Sequence, residues 1–337
     1  MQIIRKSRIA KTLLLLLVCL TASAFHHKDD NRSRIETAAK VKPVSAASNS
    51  LEGKILCGYQ GWFNAEGDGA NLGWKHYGGG KFGPGRCSVD YWPDLTEFGA
   101  DEKFPTAFQL ANGNPAMVFS SANAKTVDRH FKWMKDYGID GVFVQRFVTN
   151  VKRADLNANL NKVFDNCFAA ARNQDRLISV MYDLSGSGRE VVENTKKDWK
   201  QLVDRYKINN AKNKNLVTYK DKVVVAIWGV GFKDRVYTMD DVQELIEFFK
   251  HDPIYGNCSV LLGVPTAWRN LDRDCIPEVR LLELIKMADI VHPWTPGRYK
   301  TIEEADAHKN NYTQKDKLWC DQNGLAYMEG TEKVPRT

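Results

Sequence analysis

Apolar residues recur along the chain in short, nearly continuous blocks, at Lys54–Tyr59, Gly141–Phe147, Leu177–Tyr182, Lys222–Trp228, Ser259–Val264 and Asp289–His292. Blocks of this length without polar alternation predict strands of a parallel sheet covered on both faces. The segments between them have helical spacing. One carries Val127, Phe131, Met134 and Tyr137 and is stopped by Gly138; another starts at Thr238, whose hydroxyl can cap it, and lines up Val242, Leu245, Ile246 and Phe249. Repeated β-α units of about 35 to 45 residues point to a doubly wound sheet or to a (β/α)8 TIM barrel.

The polar and aromatic residues favour the barrel. They gather at the C-terminal ends of the strand blocks, as Tyr59-Gln60-Gly61-Trp62, Gln145-Arg146-Phe147, Tyr182-Asp183, Trp228-Gly229, Pro265 to Arg269 and His292-Pro293-Trp294. A barrel opens all of those ends onto one face, whereas a doubly wound sheet concentrates function at one or two crevices. Neither a G-x-G-x-x-G turn nor a P-loop follows any strand, so no nucleotide cofactor is expected. The first strand-to-helix loop, from Gly61 to Asn123, is long and aromatic. It reads either as a lid over the barrel mouth, with Gly78-Gly79-Gly80 as a mobile stretch, or as a purely structural loop.

The N-terminus carries Arg5, Lys6, Arg8 and Lys11, then the apolar run Leu13 to Leu20, then Ala22-Ser23-Ala24. This is the pattern of a secretory signal peptide over residues 1–24, too short to span a bilayer. Export to the periplasm or the medium is expected, with lipid attachment at Cys19 as the rival reading. Residues 25–50 are polar and aperiodic and read as a flexible tether, which leaves 51–337 as the folded domain. Most of the formal charge of +7 falls on the leader and tether, and the domain keeps only about +1. A nucleic-acid surface is therefore not expected, and no transmembrane segment is found. The six cysteines after Cys19 show no framework spacing and read as buried, inert thiols.

Five tryptophans (Trp62, Trp92, Trp228, Trp268 and Trp294) stand at strand ends or in the long loop. Indole faces stack on the C–H face of a pyranose while polar rims bind its hydroxyls, so an oligo- or polysaccharide is the expected partner. Glycoside cleavage needs two carboxyl groups. Asp183 follows the apolar run ISVMY; Asp90 and Asp94 in VDYWPD, and Glu329 and Glu332 in MEGTE, are the other candidates. His292 and Arg146 could orient a carboxylate or serve as buried structural groups. No set of residues has metal-binding spacing.

The segments ILCGYQGWF, HFKWMKDYGIDGVFVQRF, ISVMYDLSG, VVVAIWGVGF, LLGVPTAWR and DIVHPWTPGRY resemble the bacterial glycoside hydrolase family 71/99-like proteins, and more distantly the family 99 endo-α-mannosidases. The resemblance implies a (β/α)8 barrel acting on an α-linked glycan with retention, through one carboxylate that deprotonates the substrate's own 2-hydroxyl and a Glu that acts as acid and then base. It places Tyr59, Trp62, Gln145, Arg146, Tyr182, Trp228, Trp268, Arg269, His292 and Trp294 around the sugar, with Asp183 and Glu329 as catalytic candidates. The family's paired glutamates lie in an E-x-x-E-G-T pattern on the eighth strand. Here Glu329-Gly330-Thr331 matches its end, but Ala326 stands at the partner position. The residues after the tether and first loop leave room for only about six and a half β-α units, so the barrel is expected to be incomplete at its C-terminal end. The reading is a glycoside hydrolase lacking part of its catalytic pair, or a glycan-binding protein without turnover.

Overall fold

The computed structural model describes residues 49–330; the segment read as a signal peptide, Cys19, nearly all of the segment read as a tether, and Glu332 lie outside them. Seven parallel strands form one curled sheet: β1 (Leu56–Tyr59), β4 (Gly141–Phe147), β5 (Leu177–Asp183), β7 (Lys222–Trp228), β8 (Cys258–Val264), β9 (Ile290–Pro293) and β10 (Ala326–Tyr327). Each pairs with the next in chain order. Such a singly wound sheet is barrel-like; a doubly wound sheet reverses its strand order at a switch point. The sheet stays open between β1 and β10, which pair only with β4 and β9 respectively among the described residues. A cavity of about 440 Å³ occupies that seam. The short β6 (Thr218–Tyr219) adds antiparallel to β7. It also holds the end of the segment read as tether, for Thr218 N–H donates to Asn49 O and Leu51 N–H to Thr218 O, both at 2.7 Å.

The helices are α1 (Ala124–Asp136), α2 (Val148–Val151), α3 (Ala154–Gln174), α4 (Val191–Tyr206), α5 (Met239–His251), α6 (Arg280–Met287), α7 (Ile302–His308) and α8 (Gln314–Gln322). Asn123 caps α1 by accepting from Lys125 N and Thr126 N, and Thr238 with Asp241 forms a capping box on α5. Val127, Phe131 and Met134 are buried as the spacing requires, but Tyr137 is 81% exposed, because it falls at the C-cap where the chain turns away. Among the described residues no helix is long and apolar enough to cross a membrane.

Side chains alternate along each strand between two cores. Val142, Val144, Val180, Val225, Ile227, Val260 and Leu262 face outward and join the helices in the main core. Phe143, Leu177, Val224, Ala226, Leu261 and Ile290 fill the barrel interior. Sequestered on both faces, the strands have no need of a polar side, which is why their blocks read as continuously apolar.

The first loop builds a third core of its own. Trp74, Tyr77, Phe82 and Val118 are buried there, against an antiparallel pair of strands, β2 (Phe104–Gln109) and β3 (Pro115–Val118). Gly78-Gly79-Gly80 forms a tight turn, in which a Cβ on Gly78 would lie 2.0 Å from the Lys81 carbonyl oxygen. No disulfide joins the described cysteines; Cys87 is exposed and Cys57 half-buried, while Cys167, Cys258, Cys275 and Cys320 are buried.

His130 on α1 packs half-buried against Tyr59, sharing a 3.0 Å hydrogen bond with its hydroxyl, and desolvation depresses its pKa to about 4. The unfolded chain takes up this proton near pH 6.5 and the folded chain resists it, so stability falls as pH drops between those values. The expected loss reaches about 3 kcal/mol at the acid end. Urea midpoints measured from pH 7 to pH 4 on wild type and His130→Gln should show a shallower decline in the variant; parallel curves would contradict this origin.

Candidate active site

Strand register assembles the site. Phe147 pairs with Asp183, Asp183 with Trp228, Trp228 with Gly263 and Gly263 with His292. These inward positions form one row around the barrel mouth, at the C-terminal ends of five strands. The row beneath runs through Gln145, Met181, Ala226, Leu261 and Ile290 to Ala326. All of these except Gly263, Ile290 and Ala326 wall a cleft of about 770 Å³, open at the mouth and completed by Trp294, Met328 and Glu329. Its volume suits a few sugar units.

Asp183 is 4% exposed. Gln145 Nε2 donates to its Oδ2 at 2.5 Å and Ser185 N–H to its Oδ1 at 2.8 Å, so the carboxylate is fixed in rotation with lone pairs left for a ligand. Across the cleft, His292 places Nδ1 2.9 Å from Met328 O. A carbonyl only accepts, so Nδ1 carries the hydrogen, and burial lowers the imidazole pKa below its ordinary value. The neutral ring then offers Nε2 as an acceptor.

The aromatic wall stands between them. Trp228 lies 5.3 Å from the His292 ring and 5.4 Å from Trp294, centroid to centroid. Its indole covers Gly263 so closely that a Cβ there would fall 1.8 Å from Trp228 Cε3. The glycine lets the largest side chain in the row lie flat over the neighbouring strand.

Gln145, Asp183, Trp228, His292, Trp294 and Glu329 therefore meet in one cleft. The other residues expected around the sugar do not. Tyr59, Arg146 and Tyr182 sit one position off the inward set and point into the helix layer, where Tyr182 OH and Arg146 both bond Asp198 of α4. Trp268 and Arg269 lie beyond the end of β8 and fold down onto α8; Trp268 packs edge-on against Trp319 at 5.0 Å, and Arg269 Nε donates to Asp316 at 2.8 Å. Trp62 braces the wall from behind, stacked on Phe147 at 5.5 Å and on His76 at 4.3 Å. No residue of the long loop from 61 to 123 lines the cleft, so the structural reading of that loop replaces the lid. Asp90 is exposed away from the cleft, and Asp94 caps a local turn through Thr96.

Ser185, Phe232 and Arg235 line the cleft without having been singled out by sequence. Arg235 lies seven residues past its strand, with no motif to mark it. Among the described residues no three potential metal ligands come together.

No protein-family model matches the chain and no curated protein matches it, so the family resemblance rests on the quoted motifs alone. Among solved structures, the chain is similar to a GH99 endo-alpha-mannosidase from Bacteriodes thetaiotaomicron, at 10% identity with a TM-score of 0.48, over 82% of this chain and 68% of that one. A second structure of the GH99 endo-alpha-mannosidase from Bacteroides thetaiotaomicron gives 11% identity, 81% and 70% coverage and the same TM-score of 0.48. The catalytic domain of alkaline cellulase K gives 12% identity over 72% of this chain and 82% of that chain, with a TM-score of 0.36.

Proposed function

We propose that the cleft binds an α-linked oligosaccharide and hydrolyses it, with Asp183 and Glu329 as the two carboxyl groups and retention of the anomeric configuration. One observation carries this reading: an enclosed, doubly hydrogen-bonded carboxylate faces the Trp228–Trp294 wall in a cleft of about 770 Å³. A flat apolar face beside fixed polar groups is what a pyranose ring, apolar on its C–H face and polar at its rim, requires. Asp183 acts at the reacting centre, His292 accepts a sugar hydroxyl, and Gln145 holds Asp183 in place. Export through the leader belongs to the same proposal, since polymeric glycans are met outside the cytoplasm.

Glu329 favours a second reading. It is exposed at the rim beside the open seam, not enclosed among apolar groups as a general acid usually is. A cleft with only one enclosed carboxylate would hold a glycan without cleaving it.

Purified protein incubated with α-mannoside and arabinoxylan-type oligosaccharides, with products followed chromatographically and binding by calorimetry, separates the two. Hydrolysis is expected, and Asp183→Asn should lower kcat/KM by roughly 10²- to 10⁴-fold while leaving binding within a few-fold. Binding without products would support the non-hydrolytic reading. Undiminished turnover by Asp183→Asn would remove the aspartate from the mechanism.

A further inference from the structure

Among the described residues that line the cleft, Arg235 is the one cation. Its side chain is 13% exposed, whereas its ion-pair partner Asp234 is 78% exposed. The cation is enclosed and its counter-ion stands in solvent. The rest of its immediate surroundings is neutral: Nη2 donates to Ser185 Oγ at 3.1 Å, the guanidinium lies 5.0 Å over the Phe232 ring and beside the Tyr237 hydroxyl, and buried Nε makes no geometric hydrogen bond among the described residues. Asp183 forms no direct ion pair with it; Ser185 stands between them, its N–H donating to Asp183 Oδ1 and its hydroxyl accepting from Arg235. An enclosed guanidinium with no direct ion pair to an enclosed anion carries a desolvation cost that a bound anion can offset. Its planar fork matches a carboxylate.

From this arrangement we infer that the glycan is acidic, and that Arg235 binds the carboxylate of a uronic acid unit one position from the bond at Asp183. The spacing follows from Ser185, which bonds the aspartate through its backbone and the arginine through its hydroxyl. Ser185 thus keeps the two opposite charges in adjacent subsites, so the acidic unit is drawn to the arginine side and kept from the Asp183 carboxylate. The inference rests on the glycan reading and adds the substrate class to it.

The test is calorimetric titration of the full chain with matched oligosaccharides that do or do not carry a glucuronic acid unit, at low and high salt. Wild type should bind the acidic one at least tenfold more tightly, with the margin shrinking as salt rises. Arg235→Gln should lose the preference and keep its affinity for the neutral glycan; Arg235→Lys, which keeps the charge but not the fork, should fall between. A thermal melt shows that each variant is folded. Equal affinity of wild type for both glycans overturns the inference while leaving the glycan reading intact. Retained preference in folded Arg235→Gln overturns it likewise, and binding of neither glycan overturns both.

Discussion

Replacing Arg146 by methionine is expected to cost about 3 to 5 kcal/mol of folding stability, the usual penalty for leaving half of a buried ion pair behind. Arg146 is fully buried between the sheet and the helices. Its Nε and Nη2 reach Asp198 at 2.7 and 2.5 Å, Nη2 also donates to Asn161 at 2.9 Å, and Tyr182 donates to the same aspartate at 2.8 Å. Methionine fills the volume but leaves Asp198 charged, buried and held by one phenol. Arg146→Met/Asp198→Leu removes both charges and should recover most of the loss, because a well-packed apolar pair replaces an ionic one at little net cost. Urea unfolding at neutral pH, followed by circular dichroism, measures each. A single variant within about 1 kcal/mol of wild type would refute the structural role. Because Arg146 faces away from the cleft, Arg146→Met that is still folded in the cold should bind glycan as wild type does. Weakened binding would restore Arg146 to the sugar site.

That distinction marks where sequence stops being informative. The apolar blocks locate the parallel strands to within a residue or two, since burial on both faces leaves an unbroken signal: Gly141–Phe147 and Lys222–Trp228 coincide with β4 and β7. Strand ends are also where the polar residues lie. Which alternate residue faces inward is set by register, a property of neighbouring strands, and adjacent positions such as Gln145 and Arg146 therefore look alike in sequence while going to opposite sides. Trp268 and Arg269 mislead for a different reason: the chain after β8 turns back over α8 before it can reach the cleft. In the long loop the aromatic residues signalled order, but apart from Trp62 on Phe147 and the contacts of Phe98 and Phe119 with α1 their partners are each other, and composition does not tell a small core from a lid. Gly263 was legible as an anomaly, a glycine inside LLGV, and strand glycines often mark a close approach; what approaches it could not be read.

Gly263→Ala supplies the sharpest test of the cleft, because it adds one methyl group where the structure has no room. The new Cβ would fall 1.8 Å from Trp228 Cε3 and 2.5 Å from Cδ2. The indole cannot simply retreat, since His292 and Trp294 stand 5.3 and 5.4 Å from it on the cleft side. Either the ring leaves its rotamer or β8 shifts, and overpacking of this kind costs about 1 to 3 kcal/mol. The stacking wall is lost in both cases, so glycan affinity should fall by more than about tenfold, or ~1.4 kcal/mol, and tryptophan emission should change. Gly58→Ala on β1 is the comparison: its Cβ would meet only Met181 Cε at 4.0 Å, and its stability should stay near wild type. Gly263→Ala/Trp228→Leu removes the clash and should regain stability without regaining affinity, a non-additivity expected of residues in contact. If Gly263→Ala binds glycan normally, the Trp228 face is not where the sugar rests, and the ring that packs so closely over Gly263 serves the wall of the barrel alone.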